Sequence, residues 1–154
     1  MKLNLKWTDM MTFTGSADGK QVDMDAKAPL GRGSAMTPKE LVAAGLAGCT
    51  AMDVVALFKK HKQNMKTFDV DVDIETSTQG HPVVFTKAIL TFKVTGEVTP
   101  EIFKESVVLS QTKYCGVSAM LAKAFPIHYR LLLNDQIILE GQSHFETQFV
   151  ALET

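Results

Sequence analysis

Two cysteines are the residues of this chain best suited to covalent chemistry: Cys49 in LVAAGLAGCTAMDVV and Cys115 in KYCGVSAML. A thiolate attacks disulfides and peroxides, and its reactivity depends on what stabilises the anion. Cys115 follows Tyr114 and precedes Gly116 at the expected start of a short helix, whose free N–H groups favour a negative charge. Cys49 lies about 16 Å along its expected helix from Pro38, too far for the helix dipole to help much. Asp53, one turn beyond Cys49 on the same face, opposes a thiolate there unless a cation neutralises it. Helix-end physics alone therefore selects Cys115 as the reactive thiol. Gly45 and Gly48 leave room for a backbone or small substrate to approach Cys49. The alternative is that both cysteines are small core hydrophobes, a common fate of free cysteine.

Arg32 is the candidate cation, since a lone arginine between two glycines can swing its guanidinium toward a thiolate or a peroxide oxygen. A solvated loop arginine is the plainer alternative. Glu40 is a second candidate, with an equally plain role as the capping-box partner of Thr37. Two cysteines without paired spacing and four dispersed histidines (His61, His81, His128, His144) match no zinc pattern. The expectation is thus no metal and no cofactor. Ser34, Ser106, Ser110 and Ser118 lack the context of an activated nucleophile. Asp69, Asp71 and Asp73 alternate along a strand and lack the glycine and glutamate of a calcium loop.

The elements that must position these residues follow from periodicity. Leu3, Leu5 and Trp7 alternate with polar residues as a half-buried strand, Met11 and Phe13 open a second, and Val22 and Met24 mark a third after the Asp18-Gly19 turn. KAPLGRGSAM (27–36) is expected as a flexible loop. Thr37, Pro38 and Glu40 then open a helix through LVAAGLAGCTAMDVVALFKKHK, apolar on nearly every face in its early part. Phe68 to Glu75 is a strictly alternating strand and Val84 to Val94 its antiparallel partner. Thr99-Pro100-Glu101 starts a three-turn helix, Gly116 interrupts before a shorter one, and IHYRLLL and QIILEG form a hairpin about Asn134-Asp135. A tail runs from Gln142 to Thr154.

This order predicts a single α+β domain over residues 1–154 with mostly antiparallel sheets. A helix as apolar as residues 41–58 is hard to bury in so small a domain, and a second copy covering it suggests an obligate homodimer. The chain has 154 residues with 45% hydrophobic and 21% charged, which excludes disordered and fibrous classes. A formal net charge of −1 leaves no field to hold nucleic acid or anionic lipid. The longest uncharged apolar stretch, Leu41 to Met52, is too short to span a bilayer. The N-terminus shows no apolar export signal, so a cytoplasmic location with reduced thiols is expected.

Three stretches, TPKELVAAGLAGCTAMDVV, HPVVFTKAILTFKVTG and YCGVSAML, together resemble the OsmC/Ohr family of thiol peroxidases. The wording of GCTAMDVV and YCGVS is nearest the OsmC-like branch. The resemblance implies antiparallel sheets wrapped around a long buried central helix in an intertwined homodimer, with active sites built from both chains. It implies that Cys49 attacks an organic hydroperoxide and becomes a sulfenic acid, which Cys115 closes to a disulfide. A dithiol reductant such as dihydrolipoamide, or a thioredoxin-like protein, would reopen it. An arginine and a glutamate activate the thiol in the family, and Arg32 and Glu40 are their candidates here. The family glutamate directly follows the helix-opening proline, where this chain has Lys39; Glu40 is one place late, about 100° around the helix. Ala47, Ala51, Met52 and Leu46 would line a pocket for an alkyl chain. The rival reading is a non-catalytic dimer of the same fold that binds a small apolar ligand. A thiol acyltransferase-like activity lacks an accompanying histidine motif.

Overall fold

Alternation over the first 24 residues produces three short strands, β1 (Asn4–Asp9), β2 (Thr12–Ala17) and β3 (Lys20–Met24). The computed structural model describes residues 1–146. These three form an antiparallel sheet in the order β1-β2-β3 within a first compact unit, residues 1–45. Asp18 and Gly19 take the positive φ values, 48° and 75°, that a tight hairpin needs. The expected half-burial of Leu3, Leu5 and Trp7 is not found: β1 is exposed along its whole length, Trp7 at 60%.

The following loop is closed rather than flexible. Asp25 is buried, and its carboxylate accepts from the backbone N–H of Ala26 (2.7 Å), Arg32 (3.1 Å) and Ser34 (3.1 Å) and from the Ser34 hydroxyl (2.9 Å). Those donors, Ser34 N–H foremost, hold its pKa below the usual carboxylate range against the opposing effect of burial. Gly31 is required there, because a Cβ would collide with the Ala26 carbonyl and the Asp25 carboxylate.

Helix α1 (Pro38–Lys60) begins at the predicted box. Thr37 N–H donates to Glu40 Oε2 (2.8 Å) and Glu40 N–H to Thr37 Oγ1 (3.3 Å), satisfying two amides that the helix itself leaves free. From Leu46 onward it belongs to the second unit and buries a single i, i+4 stripe: Leu46, Thr50, Val54 and Phe58. The residues flanking the stripe, such as Ala47 and Ala51, are half-buried, and Met52 is 74% exposed. Asp53 interrupts the apolar run without ending the helix. By length and composition the whole of α1 would therefore suffice to cross a membrane, which corrects the argument from residues 41–52 alone. Within one chain, only 22% of its most apolar stretch is buried.

In the second unit, β4 (Asn64–Thr76), β5 (Phe85–Glu97), β6 (Ile127–Leu133) and β7 (Gln136–Gln142) form one sheet in that order. β4/β5 and β6/β7 are antiparallel, whereas β5/β6 is parallel, so this sheet is mixed. The connection between β5 and β6 passes through α2 (Pro100–Leu109), a π-helical turn (Ser110–Tyr114) and α3 (Gly116–Leu121); a crossover containing helices permits parallel pairing. Phe58 packs edge-on to Phe103 of α2, with ring centroids 5.6 Å apart, and Phe68 stacks on Phe92 at 6.4 Å. These contacts lie in a core that also contains Leu90, Val94, Ile127 and Leu131. Much of the expected C-terminal tail, residues 147–154, lies outside the described residues.

Candidate functional site

The π-helical turn determines what reaches the site from the helical connection. Its extra residue per turn brings both Ser110 and Gln111 inward, fully buried, and Cys115 N–H donates to the Ser110 carbonyl (3.0 Å) at i−5. The chain then opens: Cys115 is extended (φ −70°, ψ 102°) and caps α3. Its sulfur accepts from Ser118 N–H (3.3 Å) and from the Ser118 hydroxyl (3.1 Å). Cys115 and Ser118 are both buried, at 1% and 0% exposure.

Cys49 comes to the same place from α1. It sits immediately before Thr50 of the buried stripe, so it flanks the core and is half-buried. Both cysteines are free thiols, and the Cys49 side chain lies close enough to Cys115 to act on its charge. Burial pushes the Cys115 thiol up; the two Ser118 donors pull it down, and the Cys49 thiol pushes it up again. The net shift is upward, so burial keeps Cys115 in its protonated form at neutral pH. The direction runs against the expectation from helix-end physics that the start of the short helix lowers the Cys115 pKa. The short helix supplies donors, but burial outweighs them.

Next to the cysteine pair runs a buried polar chain that the sequence analysis did not find. Ser143 Oγ donates to Gln111 Oε1 (2.6 Å), Gln111 Nε2 to Thr50 Oγ1 (2.5 Å), and Ser110 Oγ to Asp53 Oδ2 (2.8 Å). Thr50 Oγ1 and Ser110 Oγ are 2.8 Å apart. Ser110 has one proton and gives it to Asp53, so Thr50 is the donor in that last pair and every bond runs toward the carboxylate. Asp53 thus has a hydroxyl partner and terminates the chain. Ser110 and Ser118 act here through hydrogen bonds; the one available signal was their buried spacing around a predicted helix break.

The other predicted residues have partners in the first unit. Arg32 pairs through Nη2 with Asp9, both side chains more than half exposed. Glu40 is held by the capping box and by Lys27 Nζ (2.9 Å). The Thr37 N–H, then Lys27 and the Thr37 hydroxyl, bring its pKa down to about 2. Of the proposed pocket residues, Leu46 is fully buried in the core, Ala47 and Ala51 are half-buried, and Met52 is exposed. A Cβ at Gly45 or Gly48 would meet nothing within 4 Å among the described residues. No group of three or more His, Cys, Asp or Glu that could hold a metal ion occurs among the described residues.

A sequence model of OsmC-like proteins matches residues 31–130, a span that contains both cysteines and Ser118. The chain belongs to the OsmC-like family. It is 36% identical over 129 residues to protein YhfA of Escherichia coli K12, covering 82% of this chain and 93% of that protein. Among solved structures it resembles an OsmC-like protein from Mycoplasma pneumoniae, with a TM-score of 0.74 at 15% identity over 86% of this chain and 95% of that one. It also resembles an organic hydroperoxide resistance protein OsmC, described as a predicted redox protein, from Legionella pneumophila. That match has a TM-score of 0.60 at 17% identity over 86% of this chain and 94% of that one. At these identities the two structures establish the α+β fold.

Proposed function

We propose that this OsmC-like protein is a two-cysteine peroxidase that reduces organic hydroperoxides. The single observation that carries the proposal is the pairing of a half-buried Cys49 with a fully buried Cys115 as free-thiol neighbours. Cys49 is the sulfur a substrate meets first, and Cys115 waits behind it. The Cys49 thiolate attacks the distal peroxide oxygen; the O–O bond breaks, the alkoxide leaves as the alcohol after taking a proton, and Cys49 becomes a sulfenic acid. Cys115 then attacks the Cys49 sulfur, forming the S–S bond as the S–O bond breaks and water departs. A dithiol, dihydrolipoamide or a thioredoxin-like protein, returns two electrons and reopens the disulfide. Arg32, as a loop cation and by the family resemblance, and Glu40, by the resemblance, are candidate activators, and none of these steps requires either.

The proposal includes a cytoplasmic homodimer in which residues 1–154 act as one domain. Apolar residues left open on α1, with Met52 foremost, favour an alkyl hydroperoxide over hydrogen peroxide and give a second chain a surface to cover. The rival, a non-catalytic dimer holding a small apolar ligand, is favoured by the engagement of Arg32 with Asp9 and of Glu40 with Lys27. Peroxide consumption separates the two. Purified protein given excess cumene hydroperoxide and dihydrolipoamide is expected to turn over, and Cys49→Ser to lower the rate at least about a hundredfold. Equal turnover by the variant would end the peroxidase reading.

A further inference from the structure

Ser118 is the residue whose arrangement the two-cysteine reaction leaves unexplained. Its backbone N–H on Cys115 Sγ accounts for the cap of α3, and the cap needs nothing more. Yet its hydroxyl also donates to the same sulfur (3.1 Å), in a position with 0% exposure where no bulk water competes. A thiol has one S–H and weakly accepting lone pairs. With two donors already on the Cys115 sulfur, its own S–H is not needed to hold Ser118, and the Cys49 thiol is close enough to act on that sulfur.

We propose that Ser118 is a positioning residue for disulfide closure: its hydroxyl and N–H lock the Cys115 sulfur facing Cys49 and stabilise the charge on that sulfur as it attacks. The inference rests on the peroxidase reading for its biological setting. In the closing step Cys49–SOH and Cys115–SH give the disulfide and water; the Cys115 proton leaves with the sulfenic oxygen. Negative charge builds on Cys115 during this transfer, in a dry environment where fixed donors are worth more than in water. Ser118 makes no contact with the peroxide in this scheme. The first step is therefore independent of it.

The test is to separate the two steps in single turnover. Reduced protein receives one equivalent of cumene hydroperoxide; peroxide loss reports sulfenic acid formation, and alkylation of remaining thiols in quenched samples reports closure. Ser118→Ala keeps the backbone cap, so its circular dichroism should match the parent. It should lose peroxide at the parent rate and close roughly tenfold more slowly, the worth of one hydrogen bond to a charged sulfur. Dimedone adduct on Cys49 should rise correspondingly. Ser118→Thr, which retains the hydroxyl, should restore closure.

A second arm uses diamide, which forms an adduct on Cys49 that Cys115 displaces as the reduced hydrazine. It requires no peroxidase activity. The same tenfold difference is expected there. Closure by Ser118→Ala at the parent rate in the diamide arm, or Ser118→Thr closing as slowly as Ser118→Ala, overturns the role of the hydroxyl. A parent protein that leaves cumene hydroperoxide unconsumed while the diamide arm behaves as stated overturns the peroxidase reading alone.

Discussion

At the scale of single residues, the sequence singles out the two thiols as candidates, but the burial of Cys115 was not readable from it. Burial of Cys115 depends on packing that no local pattern reports, and it outweighs the donors at the start of α3. Glu40 shows the converse: its capping box was readable from TPKE, and the structure adds Lys27, which belongs to the preceding loop. Its folded pKa of about 2 lies below the ordinary 4.5, so the stability it contributes is present above 4.5 and is lost as pH falls toward 2. Glu40→Gln should therefore lower the denaturation midpoint at pH 7, and the gap from the parent should close progressively from pH 4.5 to 2, followed by chemical denaturation at each pH. A gap that is unchanged by acid would contradict this assignment.

At the scale of elements, Thr37-Pro38 and Thr99-Pro100 marked both long helices, and strict alternation marked β4 and β5. The π-helical turn had no such signal, because no residue type selects an i−5 hydrogen bond. It arises where tertiary packing rewards two adjacent inward side chains, Ser110 and Gln111. The parallel β5/β6 pairing was hidden for a similar reason: it is set by the route of the helical crossover, and each strand alone reads the same either way. Gln111→Leu removes the central link of the polar chain and leaves buried Thr50 and Ser143 each short of a partner. The expected cost is about 1–3 kcal/mol in urea unfolding, with the slope unchanged. A substitution that stabilises the protein would mean the chain is dispensable.

At the scale of the whole molecule, α1 is as apolar as its sequence reads, and one chain buries it incompletely, as expected for so small a domain. A single chain buries one stripe of the helix, while Val42 and Met52 remain exposed, as do Leu5 and Trp7 of β1. Composition reports how much apolar surface exists and says nothing of which chain covers it. The proposed homodimer predicts a sedimentation mass of two chains at micromolar concentration. Met52→Lys places a charge on the exposed face of α1 beside Ala51, Val55 and Ala56, and should weaken association roughly tenfold or more. A parent protein that sediments as one chain would refute the dimer and leave the cysteine pair untouched, since both sulfurs lie in the second unit.

The most direct measurement is a peptide map of protein treated with one equivalent of cumene hydroperoxide and then alkylated. The account predicts that the peptides bearing Cys49 and Cys115 are recovered joined, with the loss of two hydrogens and no alkyl label on either sulfur. Recovery of both peptides separate and fully alkylated, after the peroxide has had time to react, would contradict it.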